Sequence, residues 1–147
     1  MTMPNVRFIY SGDKYDSIRE STVTHVINIL FSLISLPDKI EIQFEKLNES
    51  TYGEVTVTHR FKNRIFLNEN LSAKECIVPA IHELIHISQM HTNRLIGRRD
   101  GSFIWDGKVY TVPKNPTYEV WANLPWERDV AEKQQKLLEN VLKIGLS

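Results

Sequence analysis

The chain has one cysteine, Cys76, so no internal disulfide framework can hold it together, and a reducing compartment is expected. It also lacks net charge. Its 18 Lys and Arg residues balance 18 Asp and Glu, which removes the global attraction that draws basic domains to nucleic acid or anionic membranes. Long apolar runs are missing too. The longest, from Val26 to Leu36, is interrupted by Asn28, Ser32 and Ser35 and is too short to cross a bilayer. Residues Met1 to Arg7 contain no basic stretch leading into an apolar one, so no signal peptide is expected. Repeats, linkers and low-complexity segments are absent as well. The expectation is a cytoplasmic protein with no membrane partner and no nucleic-acid partner. The 147 residues, 41% hydrophobic and 24% charged, suffice for one domain, 1–147, with a core of ordinary size.

The pattern of apolar residues alternates between strand and helix periods. Val6 to Tyr10 reads as a strand. Asp13 or Asp16 can cap a helix running to about Ser35, with Val23, Val26, Ile27, Leu30 and Ile34 on one stripe. Ile40, Ile42 and Phe44 alternate with Glu41, Gln43 and Glu45; Val55 and Val57 alternate with Thr56 and Thr58. With Arg64 to Leu67 these predict a three-stranded antiparallel meander. Ser72 to Glu75 has capping-box spacing and should start a second helix, which Pro79 would kink or restart. Arg94 to Gly101 reads as a polar connection, and Asp106-Gly107 as the turn of a hairpin. Residues 113–117 read as extended loop, and Asn123 with Pro125 as the cap of a final helix bearing Trp126, Val130, Leu137, Val141 and Ile144. The fold class expected is α+β, a small, mostly antiparallel sheet packed on helices.

The second helix carries His82-Glu83-Leu84-Ile85-His86. Residues four apart share a helix face, so both imidazoles can reach one ion. Glu83 sits beside that ion, where it could take a proton from a metal-activated water. Two surface histidines on an ordinary amphipathic helix would be the bland reading, but both x positions and both flanks are apolar. Catalytic zinc commonly takes three protein ligands plus water. Position 92, where one common spacing would put a third His, is Thr92, and His91 lies half a helical turn from His82. Among downstream acids, Asp106 belongs to the hairpin turn and Glu119 to a loop. Glu127 has the best context, in the first turn of the last helix with the small Ala131 one turn on. At this stage Asp106 and Glu119 remain open as alternatives.

His82-Glu83-Leu84-Ile85-His86, followed by Leu124-Pro125-Trp126-Glu127-Arg128-Asp129-Val130-Ala131, resembles small gluzincin-type zinc metallopeptidases. In particular it is similar to the minimal metallopeptidases of tailed phages and prophages, across roughly residues 64 to 135. The hairpin Phe103 to Gly107 and Tyr118 fit the same pattern. The resemblance implies a minimal zincin-like domain in which His82, His86 and Glu127 ligate zinc, Glu127 coming from the C-terminal helix. It implies Glu83 as general base, a protein or peptide substrate, and a host cytoplasm if the chain is phage-encoded. One departure is Ala131, which stands where larger gluzincins often carry a supporting acid. Tyr118, nine residues before Glu127, is a candidate donor to a developing oxyanion. The alternative is a zinc-stabilised structural or regulatory binding protein without turnover. Cys76, His25 and His59 are expected to pack, not to ligate, and Trp105, Trp121 and Trp126 to fill the core or wall a cleft. Arg94, Arg98, Arg99 and Lys108 form a basic cluster expected to be solvated loop.

Overall fold

A computed structural model describes residues 3–12, 15–46 and 63–144. Asp13, His59, the polar turn expected at Asn48 to Gly53 and the strand expected at Val55 to Thr58 lie outside the described residues. Strand β1 (Asn5–Tyr10) leads to helix α1 (Ser17–Phe31), then β2 (Lys39–Glu45) and β3 (Arg64–Asn68). A 3-10 turn (Lys74–Cys76) runs into α2 (Ile77–His91). Three short strands follow, β4 (Leu95–Gly97), β5 (Phe103–Trp105) and β6 (Lys108–Tyr110), and then α3 (Tyr118–Ala122) and α4 (Pro125–Lys143). The class is α+β, as expected from the sequence.

The first sheet differs from the expected antiparallel meander, whose middle strand lies outside the described residues: β2 and β3 run the same way, as the outer strands of a meander do, but they are direct neighbours. Its order is β1-β2-β3 and both pairings are parallel, with Phe8 opposite Ile42, and Ile42 opposite Ile65. Alternation in Ile40 to Glu45 dictates a strand with one buried face, but it carries no information about direction. Residues 46–63 are more than the dozen or so that a parallel return requires, so both directions were open. The antiparallel part of the fold is the second sheet, β4-β5-β6. Its hairpin turns on Asp106 (φ 47°) and Gly107 (φ 83°), the paired left-handed conformation of the tight turn expected there. β4 replaces the connection read at 94–101. Its Leu95 is buried opposite Trp105, but three residues are too few to display a period.

Helix α2 is the hub, touching α1, α4, β3 and β4. Its Leu84, Ile81 and Ala80 are fully enclosed in the same cluster as Val23, Val26 and Leu30 of α1 and Ile40, Ile42 and Phe44 of β2. Its start is well determined. Ser72 Oγ accepts from the Glu75 amide while the Glu75 carboxylate accepts from the Ser72 amide, the reciprocal box that the spacing predicts. The box opens the 3-10 turn, and Pro79 falls in the first turn of α2, where its missing N–H costs nothing. Arg19 holds the approach to this helix. Buried on α1, it stacks over Phe44 at 4.0 Å and donates to the carbonyls of Glu69 (2.6 Å) and Leu71 (3.1 Å).

Two helix ends differ from expectation. Asp16 caps α1 by accepting from the Ile18 and Arg19 amides, but the helix stops at Phe31 instead of near Ser35. The Ser32 hydroxyl and amide both donate to the Ile29 carbonyl, and Leu33 and Ile34 turn back on Leu30, which closes the helix early. Residues 118–122, read as loop, form α3, capped by Thr117. Asn123 ends α3 and Leu124 opens α4, with Pro125 in its first turn. No described helix is long and apolar enough to cross a membrane.

Candidate metal centre

His82 and His86 lie one turn apart on α2, and α4 packs against that face. The first turn of α4 brings in Glu127. Its Oε1 lies 2.6 Å from His86 Nε2 and its Oε2 lies 3.5 Å from His82 Nε2. One ligand atom from each of the three residues falls within 4.8 Å of the others, so the group could hold a metal ion. It is the only such group among the described residues. Asp106, one alternative, is exposed and forked by Arg94 at 3.0 and 3.2 Å. Glu119, the other, is exposed at the start of α3. His91 is exposed at the end of α2, turned from the site as its spacing requires. Cys76 is buried in the core, its thiol pushed up to about 11 by that burial.

The chemistry of the donor set fits a cation. His82 Nε2, His86 Nε2 and both Glu127 oxygens are buried and have no partner outside their own group of three, although such atoms nearly always find one. They face one another, two imidazole nitrogens and a carboxylate, a set suited to a borderline divalent ion. Burial pushes the Glu127 carboxyl up, but the two imidazoles beside it outweigh that and hold it at about 2. Glu83, buried on the same helix, is affected the other way. Desolvation, and then the charge of Glu127, hold its carboxyl well above the ordinary range. Two carboxyls in one site are thus driven apart, one firmly ionised and one inclined to keep a proton.

The far side of each imidazole is held by an amide. His86 Nδ1 meets Gln89 Oε1 at 2.7 Å, and His82 Nδ1 meets Gln134 Oε1 at 3.2 Å. Gln89 in turn donates to the Trp126 carbonyl (3.0 Å) and to Asp129 (2.9 Å), which also accepts from Lys133 (3.0 Å) and lies 3.5 Å from Arg94. Sequence reading missed all of these. Gln89 three residues past His86, and Gln134 seven past Glu127, share their partners' helix faces and were findable by spacing. Asp129 and Arg94 gave no local signal. Arg94, expected in a solvated basic loop, instead stacks over Trp105 at 4.5 Å and ties the hairpin to α4 through Asp106 and Asp129.

On its open side the site forms the floor of a cleft of about 310 Å³. Trp121 lies nearly parallel to the His82 ring, centroids 6.2 Å apart, so it walls the cleft. Trp126 and Trp105 fill the core behind. Tyr118, at the rim, is 64% exposed and its ring lies 6.0 Å from that of Trp121. Ala131 and Gln134 also line the cleft. No model of a protein family, no curated protein and no solved structure matches the chain, so what the site can do is argued from its own geometry.

Proposed function

We propose that the protein is a zinc-dependent peptidase. The observation that carries the reading is the buried donor set of His82, His86 and Glu127, of which His82 and Glu127 line a cleft, with a buried Glu83 next along the helix from His82. Zinc held by those three residues supplies Lewis-acid activation of water and of a peptide carbonyl. Glu83 is the general base. Its carboxyl, raised above the ordinary range by burial and by the charge of Glu127, takes a proton from water and returns it to the departing amine. Tyr118, at the cleft rim, is the donor to the oxyanion that develops on the carbonyl. The substrate is a peptide segment laid along the cleft between α3 and α4.

The test is zinc content together with hydrolysis of an unfolded protein substrate. Wild type should hold zinc and cleave. Glu83→Gln should keep zinc and lose about 10²- to 10⁴-fold in kcat/KM, the usual contribution of a positioned base. His86→Ala should lose both zinc and activity. Full activity in Glu83→Gln ends the mechanism, and zinc without any hydrolysis in wild type favours the structural-zinc alternative.

A further inference from the structure

We propose that Gln89 is the positioning residue of this site, fixing which nitrogen of His86 is offered to the metal. Gln89 is 2% exposed, so its amide cannot turn to water for partners. Its nitrogen faces the Trp126 carbonyl at 3.0 Å and Asp129 Oδ2 at 2.9 Å. A carbonyl only accepts, and Asp129 Oδ2 is already surrounded by the donors Lys133 and Arg94. Both N–H groups of the Gln89 amide are therefore spoken for, and the amide cannot flip. Its oxygen, 2.7 Å from His86 Nδ1, is left as a pure acceptor. His86 must carry a proton on Nδ1, so Nε2, beside the Glu127 carboxylate, is the nitrogen offered to the shared ligand point.

The two imidazoles are not held alike. Gln134 lines the open cleft at a longer 3.2 Å from His82, whereas Gln89 is locked from three sides. The lock reaches outward as well. Arg94 joins Asp129 to Asp106, so the orientation of a buried ligand is anchored through α4 to the β5–β6 hairpin. His86 is the pre-oriented ligand of the pair, and His82 is the one that adjusts.

This inference rests on the zinc reading, and zinc-loaded protein with nitrogen-labelled histidine tests it. In wild type, NMR should show His86 protonated on Nδ1, that proton exchanging slowly with water, and zinc on Nε2. Gln89→Met keeps the length of the side chain and removes both hydrogen-bonding ends. It should raise the Kd for zinc about 10- to 100-fold, measured by competition with a chromophoric chelator. It should also abolish the slow exchange at His86 while leaving the His82 signals in place, which a general loosening of the fold would not do. A proton on Nε2 of His86 in wild type overturns the proposal, even if Gln89→Met fails to fold. So does Gln89→Met with unchanged zinc affinity and unchanged His86 exchange. Wild type that takes up no zinc removes the parent reading and this one together; zinc uptake indifferent to Gln89 removes only this one.

Discussion

Replacing Glu127 by Gln isolates what a buried carboxylate contributes before any metal is bound. Glu127 is 4% exposed, and the two imidazoles bring its carboxyl from an ordinary 4.5 to about 2 against the opposing effect of burial. A group whose folded value is depressed stabilises the fold above its unfolded value and loses that contribution as pH falls through the folded one. The window therefore runs from about pH 4.5 down to about pH 2, and at about 1.4 kcal/mol per tenfold change in proton affinity the contribution is about 3 kcal/mol. Gln is isosteric and resembles the protonated acid, so Glu127→Gln should cost the metal-free protein about this amount near pH 6. Toward pH 2 the two proteins should converge. Urea unfolding followed by circular dichroism, with chelator present, reads both curves. Parallel curves separated by a constant offset, or no difference near pH 6, would refute the electrostatic account of this site.

Glu83 works in the opposite sense, since its folded value is raised. Its contribution is complete below the unfolded value near 4.5 and declines as pH rises toward the folded one, so Glu83→Gln should stabilise the metal-free protein at neutral pH, measured by the same urea curves. Tyr118→Phe should keep zinc and lower kcat about 10- to 100-fold with little change in KM, and an unaltered kcat would return Tyr118 to a wall of the cleft. Leu84 is fully enclosed in the core, on the face of α2 away from the ligand histidines, and Leu84→Ala should cost about 2–5 kcal/mol in thermal or urea unfolding. Gly107 has φ 83° with nothing near the position of a Cβ, so Gly107→Ala should cost about 1–2 kcal/mol from backbone conformation alone.

Much of the site was legible because helix geometry turns spacing into placement. A separation of four from His82 to His86 puts both rings on one face; a separation of nine from His82 to His91 turns the latter away. The capping box at Ser72 and Glu75 and the Asp106-Gly107 turn were equally local, each a hydrogen-bond or dihedral requirement met by neighbouring residues. Glu127 was the preferred acid among three, and the packing of α4 on α2 brought it, and neither Asp106 nor Glu119, to the histidines.

What tertiary structure alone decided was everything that depends on how distant segments meet. Strand alternation specifies a buried face but not a direction, so the parallel β1-β2-β3 sheet could not be read from it. Three residues of β4 and five of α3 are too short to display a period. The support of His86 passes through Gln89 to Asp129 and Arg94, bonds that span 40 and 35 residues of chain. Local sequence determined which side chains could bind a metal; the crossing of two helices determined that their polar atoms face one another, buried and without other partners.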